Sequence, residues 1–453
     1  MLLGISAAEQ KGRHAAPSSE RSTWADAAKG LCILLVVSWH VIWKHYLWID
    51  WQLPVPIPEA WSVFGRSLLP MRMPLFFVIS GMFAATAVNR PWPTVARSRV
   101  AKFLYLYMVW LAIHTAILAP LPIAFDTEIA RDAWDVVEQL TISPTTLWYL
   151  FGLAVYFVTA KLLRKVPMVP VLLVAVALST ASAAGWIDSP GNRASLYQNL
   201  FFFLCGLYLR PHVENLAART NWWKVAVTGL GYGVMLGVLV VFQANATPGV
   251  WPLASIIATL FAILVMAKVA LWKGIGGWLA LIGRQTLPIY VIHMPMLALA
   301  HWLLLEPLAA APPIPRLVLA VLEPLLLTAA LVAFCLTAHR LLLAAGVAWL
   351  FDVPARERRK PEVVRVAPAE PETELIPILV GTAAVWPLDD HTAPLRRASH
   401  HGLAGDLLTS PIPSQDRSML ATTTLLDRIP PPIRASSGDV GITTPAAGPH
   451  GRS

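Results

Sequence analysis

Five side chains that ionise or carry protons interrupt long apolar runs of this sequence: His40, Arg72, His114, His293 and Glu323. Such groups are expensive inside a bilayer, so each marks a candidate site. If the runs are helices rising about 1.5 Å per residue, His40 lies roughly 16 Å beyond Lys29. His114 lies roughly 18 Å beyond Lys102 and His293 roughly 22 Å beyond Trp278, whereas Arg72 and Glu323 sit about 6 and 10 Å below the opposite surface. His40, His293, Arg72 and Glu323 therefore share one slab, from the midplane outward. A second set, Lys29, Arg97, Arg99, Lys102 and Arg284, gathers at the inner ends of the runs. Arg and Lys bind phosphates through charge-assisted hydrogen bonds, so this inner layer suits a phosphorylated cytoplasmic donor. A midplane imidazole suits general-base work on an acceptor arriving from outside. A plainer reading stands beside each assignment. His114 and His301 fit packing roles, the basic residues at helix ends also serve topology, and Ser80-Gly81 fits close helix packing. Trp148-Tyr149 fits an aromatic belt.

The elements that must position these groups follow from composition. Hydrophobic residues make up 56% and charged residues 13% of the 453 residues, against about 25% charged in soluble domains. Mean hydropathy is +0.59. This composition excludes an ordinary soluble globule and predicts an all-α, multi-pass membrane protein. Runs of about 20 apolar residues cross a bilayer core. Ten candidates occur, at 30–49, 68–88, 102–121, 146–161, 166–187, 196–209, 223–242, 251–269, 278–304 and 317–338. With a cytoplasmic N-terminus, the inner loops hold twelve Lys and Arg and the outer loops four, Arg66, Arg131, Arg193 and Arg316. That bias satisfies the positive-inside rule and favours about ten spans with both termini cytoplasmic. The net charge of +9 then reports basic inner loops rather than nucleic-acid binding.

The expected organisation is a cytoplasmic N-terminal segment (1–28), a transmembrane domain (29–354) and a disordered cytoplasmic tail (355–453) holding 13 of the 38 prolines. Such a tail buries too little apolar area to offset its ordering entropy. Residues 1–28 lack the apolar core of a cleavable signal peptide. Residues 124–144 form an acidic external segment, and 340–351 an amphipathic stretch expected to lie at the interface. Cys32, Cys205 and Cys335 all fall in apolar runs without paired spacing. They predict neither a disulfide framework nor a cysteine metal site. No internal repeat of fixed period is present, which weighs against transporters built from repeated halves.

Four separated stretches resemble the acyltransferase-3 family of integral membrane O-acyltransferases. Asp26, Lys29 and His40 resemble its opening signature, a basic residue, ten residues and then His, with Asp three positions before the basic one. Phe76-Phe77-Val-Ile-Ser80-Gly81 is similar to its Phe-Phe-x-x-Ser-Gly segment, and Leu147-Trp148-Tyr149-Leu150 to its Leu-Trp-Phe/Tyr-Leu. Gly283-Arg-Gln-Thr286-Leu-Pro-Ile-Tyr290-Val-Ile-His293 is similar to its Gly-x-x-Ser-x-x-Ile-Tyr-x-x-His. Thr286 replaces the usual Ser. The family's basic pair before the third helix is matched either by Arg99-x-x-Lys102 or by Arg97-x-Arg99.

The resemblance implies transfer of an acyl group from cytoplasmic acyl-CoA, acetyl-CoA first among donors, to a hydroxyl of an envelope carbohydrate or glycolipid. It implies no tightly bound cofactor and no metal, since a thioester is already activated. The bilayer of the plasma membrane is its setting. His40 carries over as the essential residue with Lys29 as its motif partner, and His293 and Glu323 complete the expected catalytic set. Arg97, Arg99, Lys102 and Arg284 are the expected CoA-binding residues, and Asp26, Arg72, Ser80, Trp148 and Tyr290 the expected substrate-binding ones. Glu323 is expected to face the bundle interior and to meet Arg72 or His293. Pro324, which follows it, frees a backbone carbonyl one turn earlier. One alternative is a proton-coupled secondary transporter relaying protons through His40, Glu323 and His293. Another is a scaffold that recruits partners through its Pro-rich tail.

Overall fold

The computed structural model describes residues 23–121, 130, 132–141 and 144–354. Residues 1–22, the tail from 355, and part of the acidic external segment, including Asp126 and Glu128, lie outside the described residues. The described residues are all-α. Helix α1 (Thr23–Lys44) leads through a 3-10 turn (Tyr46–Trp48) to α2 (Ile57–Ser67) and α3 (Leu69–Ala87). Then α4 (Trp92–Val95) runs through one π-helical turn (Ala96–Val100) into α5 (Ala101–Leu118), and α6 (Ala133–Thr141) follows. Next come α7 (Trp148–Leu163), α8 (Met168–Ala183), α9 (Arg193–Tyr208), α10 (Arg210–Ala218), α11 (Trp222–Val241) and α12 (Val250–Val269). The series closes with α13 (Lys273–Gly283), α14 (Thr286–Ala309) and α15 (Pro313–Ala344).

Seven helical segments among the described residues are long and apolar enough to cross a membrane: Thr23–Trp48, Ile57–Ala87, Trp92–Leu118, Trp222–Val241, Val250–Val269, Thr286–Ala309 and Pro313–Ala344. The chain is a multi-pass membrane protein. Helices α7 and α8 are shorter apolar helices, and α9 carries the sixth expected run. Large apolar side chains stay exposed along α11 and α15. Helix α11 buries only Tyr232 and Leu239. In a bilayer such surfaces face lipid, where exposure of apolar atoms costs nothing.

Helix α1 packs against α3, α12, α13, α14 and α15 and forms the axis of the bundle. It starts at Thr23 rather than Gly30, and Ala25 to Ala28 are already buried. Its closest neighbour is α13. A Cβ on Gly30 would stand 2.0 Å from the Leu279 carbonyl oxygen, and one on Gly283 only 1.7 Å from that of Asp26. These backbones touch because both residues lack side chains. A second such crossing joins α3 to α9, where Cβ atoms on Gly81 and Gly206 would stand 2.0 and 1.9 Å from backbone carbonyls.

The α1–α13 contact also explains one departure from the sequence reading. The expected ninth span, 278–304, is two helices, which end and restart at Arg284 and Gln285. Gly283 ends α13 against α1, and the helix breaks at Arg284 and Gln285 before α14 begins. The stretch 340–351 also differs from expectation. Helix α15 continues to Ala344, and the following turn docks on α5, where Trp110 Nε1 donates to the Leu350 carbonyl (2.7 Å) and Phe351 packs on Trp110.

The glycine crossings yield a test. Gly81→Val or Gly206→Val should sharply lower the yield of folded protein in membranes, whereas Gly233→Val or Gly237→Val, which meet no atom within 4 Å, should not. Gel-filtration profiles in detergent compare the four variants.

Candidate active site

On α1, Lys29, Ile33 and Val36 follow one another at helical spacing, and His40 continues the same face one turn on. Lys29, Ile33 and Val36 line a cavity of about 270 Å³. Helix α3 contributes Met73, Phe76, Ser80 and Phe83, α7 contributes Tyr149, Leu150, Leu153 and Phe157, and α14 contributes Thr286, Leu287 and Tyr290. Arg99 and Phe103 complete it. Each helix presents a stripe at helical spacing, and most of the cavity wall is apolar.

One end is cationic. The Asp26 carboxylate, fully buried, takes Lys29 Nζ at 2.9 Å and Arg284 Nε at 3.2 Å. Lys29 also sits 5.0 Å from the centre of the Phe83 ring. Asp26 was expected to bind substrate; the structure makes it the counter-ion that holds two cations from different helices in place. The π-helical turn decides between the two candidate basic pairs. Arg99 reaches the cavity with its guanidinium 5.8 Å from the Phe157 ring centre. Lys102 instead pairs with Asp352 at 2.9 Å, and Arg97 is exposed and does not line the cavity. A π turn adds a residue to the helical register and re-aims the side chains around it.

Polar groups cross the middle of the cavity. Ser80 donates its hydroxyl hydrogen to the Phe76 carbonyl (2.8 Å), so the Tyr149 hydroxyl donates to Ser80 Oγ across 3.0 Å. The Tyr290 hydroxyl donates to the Thr146 carbonyl (2.8 Å) and accepts from the Tyr149 backbone N–H (3.2 Å), tying α14 to the start of α7.

Past Tyr290 lies a histidine pair. His293 Nδ1 is 3.0 Å from the Ile289 carbonyl oxygen, which can only accept, so Nδ1 bears the hydrogen. A neutral His293 then has a bare Nε2, and His40 Nδ1–H donates to it across 3.1 Å. This chain leaves the lone pair of His40 on Nε2, the arrangement a general base needs. The order is set from the backbone outward.

The family model described as an acyltransferase domain matches residues 22–340, a range that takes in both the cationic end and the histidine pair. The chain belongs to the acyltransferase-3 family. The inner membrane protein YcfT of Escherichia coli (strain K12) is 26% identical over 204 residues, 42% of this chain and 56% of that relative. The chain thus spans little more than half the length of the curated relative it matches. No solved structure matches it.

For this acyltransferase-3 chain the structure puts Lys29, Ser80, Arg99 and Tyr290 on one cavity and pairs His40 with His293, and places others elsewhere. Trp148 packs on Phe77, with ring centres 5.7 Å apart, and does not line the cavity. Its neighbour Tyr149 does; the belt position that accounted for both aromatics hid it. Glu323 is buried, as expected, but its partner is neither Arg72 nor His293. Its carboxylate lies 3.3 Å from His45 Nε2, and His45 Nδ1 lies 3.1 Å from His301 Nδ1. Glu323 therefore belongs to a separate polar cluster at the far end of α1, and a relay through His40, His293 and Glu323 is not assembled. His45 was missed although it lies within the expected first span, 30–49; the helix ends at Lys44, and His45 opens the turn that follows. The carbonyl freed by Pro324, that of Ala320, accepts the Tyr46 hydroxyl at 2.7 Å rather than lining a cavity.

His114 has the same kind of task. Pro295 removes the N–H that would bond the Val291 carbonyl, and His114 Nε2 donates to that oxygen at 2.8 Å. His114→Phe should lower stability by about 1–3 kcal/mol, the cost of an unpaired buried carbonyl. Thermal midpoints in detergent measure it.

Proposed function

We propose that this chain transfers an acyl group from cytoplasmic acyl-CoA to a hydroxyl of an envelope carbohydrate or glycolipid, acetyl-CoA being the first donor to test. In this reading it sits in the plasma membrane with ten spans and both termini cytoplasmic. The observation that carries the reading is the bare Nε2 of His40 at the end of a stripe whose other end, about 16 Å away, is cationic.

The donor's phosphates pair with Lys29 and Arg99, with Arg284 at the outer edge, through charge-assisted hydrogen bonds. Its extended arm runs through the apolar cavity past Ser80, Tyr149 and Tyr290 and brings the thioester toward His40. Lys29 and Arg284 share the Asp26 carboxylate, so the cations are in position before the donor arrives. The acceptor hydroxyl approaches from the opposite side and passes its proton to His40 Nε2 as its oxygen attacks the thioester carbonyl carbon. The tetrahedral intermediate collapses by breaking the carbon–sulfur bond. The departing thiolate takes the proton from His40, so the products are the ester and CoA with its thiol restored. His293 holds the His40 ring in the required tautomer through Nδ1, across the ring from the Nε2 that takes the proton.

Two outcomes follow. His40→Ala should lose acyl transfer by roughly 10²- to 10⁴-fold at unchanged abundance, measured by mass spectrometry of envelope glycolipids and polysaccharides from complemented deletion cells. Substantial remaining transfer would remove His40 from the base role. Arg99→Gln should raise the donor KM several-fold with kcat nearly unchanged, and Lys102→Gln should do so less, because Asp352 already occupies Lys102. Steady-state kinetics with varied acyl-CoA separates the two.

A further inference from the structure

Between α1 and the α2–α3 pair runs a ladder of two tryptophans and two arginines that the acyl-transfer geometry leaves unused. Trp39 and Trp43, one turn apart on α1, stack with ring centres 4.9 Å apart. The Arg72 guanidinium lies 4.8 Å from the Trp39 ring centre, and that of Arg66 lies 5.7 Å from the Trp43 ring centre. Helix α2 lies against both rings at Gly65, where a Cβ would be in ordinary contact with Trp39 Cε3 and Trp43 Nε1 at 3.4 Å. Arg66 donates to Ser62 Oγ at 2.9 Å. Neither arginine has a carboxylate partner among the described residues.

Arg72 stands out. It is only 7% exposed, its Nε has no hydrogen-bond partner, and none of its other N–H groups bonds a described residue. A stacking ring satisfies the charge in part, but the buried Nε–H remains without an acceptor, and buried charges are normally paired. Trp43 Nε1 is a second buried donor on the ladder without a partner. Both groups only donate, so what each lacks is an acceptor. Arg72 is also one of the charges that act on His40, whose neighbour Trp39 supplies the stacking face. Arg72 therefore faces α1 at Trp39, the residue next to the proposed base.

We propose that Arg72, braced on Trp39, is a binding site for an oxyanion, a phosphate or carboxylate carried by the acyl acceptor next to the hydroxyl that reacts. That the oxyanion belongs to the acceptor rests on the acyl-transfer reading; the anion site itself does not. A guanidinium offers two parallel N–H groups to such a group and discriminates it from a neutral sugar. The acceptor class narrows accordingly to acidic glycans or to glycolipids bearing a phosphate.

The test needs no acyl donor. The full chain in phosphatidylcholine nanodiscs is titrated with inorganic phosphate against chloride at matched ionic strength, and its thermal midpoint is recorded. Parallel discs contain phosphatidylglycerol. A saturable rise of about 2 °C is expected at roughly ten times the dissociation constant, absent in Arg72→Gln and kept in part by Arg72→Lys. A rise with free phosphate indicates an oxyanion taken from solution, and a rise only with phosphatidylglycerol indicates one delivered on a lipid headgroup. If neither probe shifts the wild-type midpoint, or the shift persists undiminished in Arg72→Gln, the proposal fails. Should Arg72→Gln not fold, Trp39→Leu replaces it, and unchanged phosphate affinity in that variant is equally fatal. Acyl transfer without phosphate binding would sink the anion site alone, and Arg72-dependent binding without acyl transfer would sink the transfer reading alone.

Discussion

The bundle depends on a backbone-to-backbone contact between α1 and α13. Gly30 and Gly283 leave no room for a side chain on either helix. In a membrane, where lipid competes for apolar surface as well as another helix does, such close packing is a main source of association. The contact has electrostatic consequences. It presses the Asp26 carboxylate against Arg284 from the neighbouring helix, one turn from Lys29. It also ends α13 and allows α14 to restart on a new path, along which Tyr290 reaches α7 and His293 reaches His40. The cationic end and the histidine pair are thus two results of one crossing.

Proline supplies the second recurring device. Pro295 and Pro324 each leave a carbonyl without its helical partner, and each carbonyl takes a side chain from another helix or turn, His114 in one case and Tyr46 in the other. In hydrocarbon an unpaired carbonyl is costly, so such bonds are favoured wherever a donor can reach. They fasten α14, which carries His293, to α5, and α15 to the turn after α1. Lys161 serves the backbone similarly, donating to the Val88 carbonyl at 2.7 Å and to the Arg90 carbonyl at the end of α3. Topology alone would have left that lysine in an inner loop.

The histidines on and against α1 sort into two of its buried polar groupings among the described residues. One, around His40 and His293, adjoins the cavity and has a free lone pair. The other, His45 with Glu323 and His301, lies with Tyr46, Trp51 and Ala320 beneath the turn that follows α1. Depth along separate helices put Glu323 and His293 in one slab, but depth says nothing of azimuth. Two residues at equal depth on adjacent helices can face different neighbours.

The sequence by itself determined the class of the fold, because 56% hydrophobic residues with 13% charge admit few alternatives to apolar helices in a bilayer. It also determined where most helices lie and that Lys29 and His40 share one face, since helical spacing is a local property. The ordered motifs pointed to the family to which the chain belongs. What only the tertiary structure decided were the pairings between helices. That Arg99 rather than Lys102 lines the cavity follows from a π turn and from Asp352, more than two hundred residues away. That His45 pairs with Glu323, and that Arg72 stacks on Trp39 without a carboxylate partner among the described residues, depends on helix rotation and crossing. Rotation and crossing arise from glycine contacts and proline-freed carbonyls summed over the bundle, and no local spacing in the chain encodes them.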